Sequence, residues 1–447
     1  MILLQALLVA IFGGILFSII GVIPGTDETA TMAPLTLVLV LIGVHPCVVF
    51  AWFIAILIAM QITHTVPTAM AALPGSTMAV PMVANSNIAK RLGIPHIGMI
   101  KMAAGSLIGS LVAFPIAIAV AKVLAPLGES VKTYSGLIFT IGAIIIAYVS
   151  KAKWGAVLAL IPFAFLIQGI QKLSVEAVGK PLFISIFMGI TIGPMIAELF
   201  NVMIPTRRAT QKRDKPNLIW LAAESEGKKS SFFPNPFSFF GKTQIWYLIL
   251  ASAISAYTFT FSPVGMTVLM GELVSTRKKE LYDKVTTTLG VQDAVSNATY
   301  LGELLIPMIA FGLPLSPVAL GPASPLFNQI NLHDHLTLSQ YFIYGAIGIF
   351  GGALFAYPLS IKKARTWTAA MFKYVSHEAL IGAFMGLICM LAFYEAGIFG
   401  VIIAIIIGIF GGILNNIFGI HTGVQFMGYY AAGYIVMQIM ALSKIIN

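Results

Sequence analysis

The sequence predicts an all-α polytopic membrane protein with about 10–13 membrane segments, several of them broken. Two observations of composition and one of pattern carry that prediction. Hydrophobic residues make up 58% of the 447 and charged residues only 9%, against roughly a quarter charged in soluble domains. The mean hydropathy is +0.94. The apolar residues fall in runs close to the roughly 20 residues that a helix needs to cross a bilayer, and short loops rich in Lys and Arg separate many of them.

Taken in order, the first run covers residues 2–20. No Lys or Arg precedes Lys90, so the basic region of a cleavable signal peptide is missing and a retained helix with an external N-terminus is expected. The next run, 35–61, is expected to split at His45-Pro46, because proline ends or starts helices. Spans then fall at 97–125, 135–149, 154–170 and 182–204. Later runs cover 244–262, 264–275, 298–325 (broken), 339–360, 378–394, 397–418 and 424–442. The run 264–275 is too short to cross alone and reads as one arm of a re-entrant hairpin. Gly98, Gly105 and Gly109 gather on one face with Ala104 and Ser106, and Gly345, Gly348, Gly351, Gly352, Gly408, Gly411 and Gly412 recur later. Such faces let helices approach closely in lipid.

The formal net charge is +10. Its carriers cluster in loops, as Arg207, Arg208, Lys212, Arg213 and Lys215, then Arg277, Lys278, Lys279 and Lys284, then Lys362, Lys363, Arg365 and Lys373. Short basic loops stay in the cytoplasm, so the charge reports topology and location in the cytoplasmic membrane, and nucleic acid is excluded as a partner. The polar stretch 205–243 divides the chain into a first transmembrane half, 1–204, a cytoplasmic linker, 205–243, and a second half, 244–447. Cys47 and Cys389 lie in or beside apolar runs and are expected to be buried free thiols.

Polar breaks recur in both halves. The first half has Gly21-Val22-Ile23-Pro24-Gly25-Thr26-Asp27-Glu28-Thr29-Ala30-Thr31 and then Leu73-Pro74-Gly75-Ser76-Thr77. The second has Gly290-Val291-Gln292-Asp293-Ala294-Val295-Ser296-Asn297-Ala298-Thr299 and then Leu313-Pro314-Leu315-Ser316-Pro317. Non-helical backbone at membrane depth survives only where protein buries it or it lines a wet cavity, and paired interruptions are how a transporter's site reads in sequence. Pro-Gly stops a helix sharply, and the N-H groups that open the next half-helix, with its positive dipole end, suit a carboxylate. Gly25, Thr26, Gly75, Ser76, Thr77, Ser296, Asn297 and Ser316 are therefore the expected substrate-binding residues. Asp27 and Asp293 are the expected coupling sites, for Na⁺ through oxygen ligands or for a proton. The plainer reading makes Thr26 and Ser76 helix N-caps in ordinary turns. His64, just before the second break, more often hydrogen-bonds locally. Glu198, Glu272 and Glu395 show no partner in sequence.

Enzyme motifs fail. His377-Glu378 is followed by Ile381 where a zinc helix needs histidine, His333-Asp334-His335 has no third ligand nearby, and no Gly-x-x-x-x-Gly-Lys-Ser/Thr occurs. No catalytic residue, resident metal or organic cofactor is expected. The rivals to a carboxylate permease are a channel or transporter for an uncharged or cationic solute, and an intramembrane enzyme. The latter lacks a paired nucleophile and base.

Three stretches resemble the large membrane subunit of the tripartite tricarboxylate transporters. They are Gly21-Val22-Ile23-Pro24-Gly25 with Pro34-Leu35-Thr36, then Leu73-Pro74-Gly75-Ser76-Thr77 leading to Ile88-Ala89-Lys90-Arg91-Leu92-Gly93, and Gly290 to Asn297 followed by Ile306-Pro307-Met308 and Leu313-Pro314-Leu315-Ser316. The resemblance implies an ion-coupled secondary transporter for small di- and tricarboxylates, built from two inverted repeats and working by an elevator-like movement. It also implies a small membrane subunit and an extracytoplasmic solute-binding protein as partners. A homo-oligomer is compatible with it.

Overall fold

The computed structural model describes residues 1–23, 28–71, 76–149, 152–204, 206, 232–257, 263–277, 279–363, 366, 377–420 and 422–446. Every regular element among them is helical. In chain order these are α1 (Ile2–Ile20), α2 (Glu28–Leu41), α3 (Pro46–Thr63), α4 (Thr65–Ala71), α5 (Val83–Arg91), α6 (Pro95–Leu124), α7 (Gly128–Thr133), α8 (Ser135–Val149), α9 (Trp154–Val178) and α10 (Ile184–Met203). They continue as α11 (Lys242–Tyr257), α12 (Pro263–Ser275), α13 (Leu281–Ala310), α14 (Pro317–Leu320), α15 (Ser324–Asn328), α16 (Leu332–His335), α17 (Leu338–Lys362), α18 (His377–Asn416) and α19 (Thr422–Ile446). Seven helices among the described residues are long and apolar enough to cross a membrane.

Local chemistry sets the boundaries. The run 35–61 does split at His45-Pro46, where the His45 ring accepts a hydrogen bond from Cys47 N at 3.2 Å and Pro46 opens α3. α17 starts on a full capping box, with Thr337 and Gln340 bonding each other's backbone N-H. α18 is broken at Ala396 and Gly397, the latter at φ 60°, which separates the two runs expected at 378–394 and 397–418. Cys47 is buried, Cys389 half-buried, and both are free thiols.

One expectation is overturned. Gly290–Thr299 is not a break: it lies inside α13, a continuous helix of 30 residues whose side chains are buried from Val285 to Ala310. The expected broken span at 298–325 is accordingly a helix ending at Ala310, and the interruption falls at residues 311–316. A lone glycine costs a helix only about 1 kcal/mol, and three of the polar side chains that suggest a loop instead meet polar partners: Gln292 meets Asn85, Asp293 meets His64, and Asn297 meets Ser106 and Ser110.

The described residues form two compact units, and both draw on residues before and after the polar stretch 205–243. The first comprises Met1–Pro126, Asp214–Ala319 and Ala323–Ser376. Two trios of helices organise it. α3, buried along its whole length, packs with α1 and with α17 from the second half; α13 packs with α11 and with α6 from the first half. Glycine makes these contacts close. A Cβ on Gly105 or Gly109 of α6 would lie 2.2 Å from the carbonyl oxygen of Gly290 or Ala294 on α13. In the other trio, Gly14 and Gly351 meet backbone to backbone, and Gly348 and Gly352 lie against the Ala51 and Ala55 carbonyls.

The second unit comprises Leu127–Arg213, Leu320–Pro322 and His377–Asn447. There α10 packs along α18, with Gly193 against Gly412, while α19 packs on α8 and α9. The Phe187 and Phe426 rings meet at a tilt, 4.7 Å between centres, and Phe139 stacks on Tyr430 at 5.0 Å. The Glu395 carboxylate caps α10. Its Oε1 accepts from Phe183 N and Ile184 N at 2.9 and 2.8 Å, and its Oε2 from Ser185 N and Ser185 Oγ at 2.7 Å each. Four donors at a helix N-terminus give this acid the partners that the sequence did not reveal. Glu272 is exposed.

Candidate functional site

α3 carries apolar residues almost to its end, then meets Gln61-Ile62-Thr63-His64-Thr65. Threonine hydroxyls close onto carbonyls there: Thr63 on Ala59 O at 2.8 Å, Thr65 on Ile62 O at 2.6 Å and Thr68 on His64 O at 2.9 Å. Side-chain bonds of this kind compete with the helix ladder and bend it. The chain leaves α3, makes the single residue His64, and restarts as α4.

His64 is fully buried and bridges two of the expected site residues. Its Nδ1 lies 2.9 Å from Ser76 Oγ, and its Nε2 lies 3.3 Å from Asp293 Oδ1. Ser76 follows Pro74-Gly75 in the first half; Asp293 sits in α13 of the second, so one imidazole joins the two halves of the chain. Ser76 Oγ also accepts from Met78 N at 3.3 Å, a turn-capping role that belongs to the plainer reading of this serine.

On α13, Asp293, Ser296 and Asn297 fall at i, i+3 and i+4 and share one face. Each is 0% exposed. Asn297 donates from Nδ2 to Ser106 O at 3.1 Å, Ser106 Oγ at 3.0 Å and Ser110 Oγ at 2.6 Å, all on α6. Among the described residues, Asp293 Oδ2, Ser296 Oγ and Asn297 Oδ1 have no hydrogen-bond partner, and neither has Gln61 Oε1 on α3. Buried polar atoms are nearly always satisfied, so unpartnered oxygens gathered on one buried helix face mark a place for a polar ligand, an ion or water.

Ser316 stands apart in its bonding. It donates to Glu303 O at 2.9 Å and accepts from Ala319 N at 3.1 Å, capping α14. It shapes the interruption at 311–316, and its hydroxyl is used by the backbone. Of the remaining expected residues, Gly25, Thr26, Asp27 and Gly75 lie outside the described residues, and Thr77 opens a short 3₁₀ turn, Thr77–Met82. Glu28, buried, begins α2.

Sequence reasoning gave His64 a local role, although its place twelve residues before Ser76 and at a cluster of threonines was the available signal. It also missed Lys101. That ammonium is buried in α6, donates to Gln244 Oε1 at 2.9 Å and lies 5.5 Å above the Phe240 ring. Gln244 Nε2 in turn donates to Thr287 Oγ1 of α13 at 2.7 Å, which fixes the start of the polar helix beside a cavity of about 580 Å³. His333, by contrast, is structural: its Nδ1 donates to Met308 O and Ile309 O at 3.2 and 3.1 Å, satisfying carbonyls at the end of α13.

A sequence model described as the tripartite tricarboxylate transporter TctA family matches residues 7–423. No match was found among curated proteins or among solved structures. The matched stretch contains the first-half break with Ser76, the whole of α13 and six of the seven long apolar helices in full or nearly so. Both the match and the apolar helices describe one thing: a multi-pass membrane component of a transport system, belonging to the tripartite tricarboxylate transporter TctA family.

Proposed function

We propose that this chain is the large permease subunit of an ion-coupled secondary transporter for small di- and tricarboxylates in the cytoplasmic membrane. It works with a small membrane subunit and an extracytoplasmic solute-binding protein. Ser76, Ser296 and Asn297 bind substrate carboxylates together with the backbone and hydroxyls of the first-half breaks, at Gly25, Thr26, Gly75 and Thr77. Ser316 holds the second-half interruption in shape. Asp293 is the coupling acid, and Asp27 is a second candidate in the first break.

The observation that supports this reading is the fully buried cluster His64, Ser76 and Asp293, beside a helix face with unpartnered oxygens. Ionisable groups at membrane depth are costly and mark transport pathways. The cluster is closed to solvent, so a substrate reaches it only after rearrangement, as alternating access requires. Reciprocal packing of the two trios, with α17 lent to the first half and α6 to the second, suits two inverted repeats and a bundle that moves as a unit.

The test is uptake of radiolabelled di- and tricarboxylates into proteoliposomes carrying the chain with its partner subunits, under separate Na⁺ and proton gradients. Gradient-driven uptake lost in Ser76→Ala and Ser296→Ala supports the reading. Uptake of cations in preference to carboxylates, abolished by Asp293→Asn, overturns it in favour of a cation path.

A further inference from the structure

We propose that a proton held by the His64–Asp293 pair is the coupling ion, and that it governs substrate binding by reversing the hydrogen bond between His64 and Ser76. This rests on the transporter reading above and names its ion.

The hydrogen positions follow from what each group can do. An Asp293 carboxylate only accepts, so His64 Nε2, 3.3 Å from Oδ1, carries hydrogen. In the neutral ring Nδ1 is then bare and accepts from the Ser76 hydroxyl 2.9 Å away. Ser76 has one hydrogen and room to accept two. In this state its hydrogen is committed to His64, and its oxygen accepts from Met78 N.

A proton taken from water on the loading side forms a second N-H bond, at Nδ1. The imidazolium now donates both ways. Ser76 becomes the acceptor of both Nδ1-H and Met78 N-H, and its own O-H is released. A free hydroxyl donor directly after Pro74-Gly75 is what a substrate carboxylate needs. The proton returns to water on the far side when Nδ1-H breaks, the Ser76 hydrogen swings back to Nδ1, and the substrate loses its donor. No other bond is made or broken.

The charges suit this exchange. Protonated His64 and ionised Asp293 form a buried pair with no net charge, which a low-dielectric interior tolerates better than a lone carboxylate. The elements packed around His64 carry other acidic, basic or histidine groups, namely Glu28 on α2, Lys90 and Arg91 on α5, His96, Lys101 and Lys122 on α6, Asp283, Lys284 and Glu303 on α13, His333, Asp334 and His335 on α16, and Lys362 on α17. Among the described residues, the ring nitrogens of His64 hydrogen-bond to Ser76 and Asp293.

The experiment uses proteoliposomes with the complete transporter and a pH dye trapped inside. Wild type is expected to admit protons together with carboxylate and to accumulate carboxylate under a proton gradient alone. His64→Gln keeps a donor and an acceptor but binds no proton. It is expected to lose proton entry and accumulation at least tenfold while still exchanging carboxylate, more slowly. Net carboxylate uptake by wild type without proton entry, or accumulation that follows Na⁺ alone, overturns the proposal and leaves the transporter reading standing. This arm needs no variant to fold. His64→Gln with wild-type proton entry also overturns it. Absence of any carboxylate exchange by wild type removes the transporter reading and the proposal with it.

Discussion

Replacing Gly105 by alanine tests the backbone contact on which the polar helix depends. A Cβ there would lie 2.2 Å from the Gly290 carbonyl oxygen, whereas real Cβ contacts do not come under 3.0 Å. That oxygen belongs to the helix ladder of α13 and cannot swing aside, so α6 and α13 must part by about 0.8 Å at this point. Overpacking of this kind costs about 1–3 kcal/mol. The same separation stretches the bonds of Asn297 to Ser106 and Ser110, one and five residues further along α6, and hydrogen bonds contribute about 0.5–1.5 kcal/mol each. A total loss of about 2–4 kcal/mol is expected. Gly169→Ala in α9 is the control, since nothing lies within 4 Å of its Cβ and alanine gains about 1 kcal/mol of helix propensity. Thermal unfolding of the purified protein in detergent separates the two. Gly105→Ala melting at or above wild type, or Gly169→Ala falling as far, refutes the reasoning. Gly105→Ala with Gly109→Ala should cost less than the two apart, because one separation accommodates both methyls.

Ser316→Ala should lose about 1 kcal/mol as a missing N-cap, and Ser316→Asn should recover most of it in the same unfolding assay; equal losses in both would refute the capping role. Glu395→Gln exchanges a carboxylate that satisfies four donors for an amide that satisfies fewer, and should cost about 1.5–3 kcal/mol, read as faster hydrogen exchange at Phe183, Ile184 and Ser185. Asn297→Leu leaves the Ser106 and Ser110 hydroxyls without their amide and should lower both stability, by about 1–3 kcal/mol, and carboxylate uptake. A variant that transports like wild type would remove Asn297 from the site.

The long apolar helices were legible because hydropathy measures what lipid requires, and α1, α6, α9 and α17 meet lipid-like demands in sequence. α13 was not. Gln292, Asp293, Ser296 and Asn297 look like a loop when each residue is judged against lipid, but this helix meets protein on every side, and Ser106, Ser110 and Gln244 answer its polar groups from helices that are distant in sequence. The pairing of Ser76 with Asp293 spans more than two hundred residues and runs through His64, so neither residue's neighbours could announce it. Ser76 and Asp293 were still singled out as candidates, each by itself, from the Pro-Gly break and the rarity of acids in apolar surroundings. Ser316 was identified for its position after a proline, which is also where an N-cap stands, and its bonding fits the cap.

The exchange of α6 and α17 between the trios also orders events on the ribosome. α3 is complete at Thr63, but α17, whose glycine-lined face closes against it, begins at Leu338. At about 5–20 residues per second, roughly 15–55 s pass before that partner emerges. Through that interval α1 and α3 wait in the bilayer with His64 and its threonines lacking their final neighbours, a window in which insertion factors or chaperones have a surface to hold. Neither half synthesised alone can complete a trio, so a chain cut in the 205–243 stretch should regain its fold only when both pieces share one membrane.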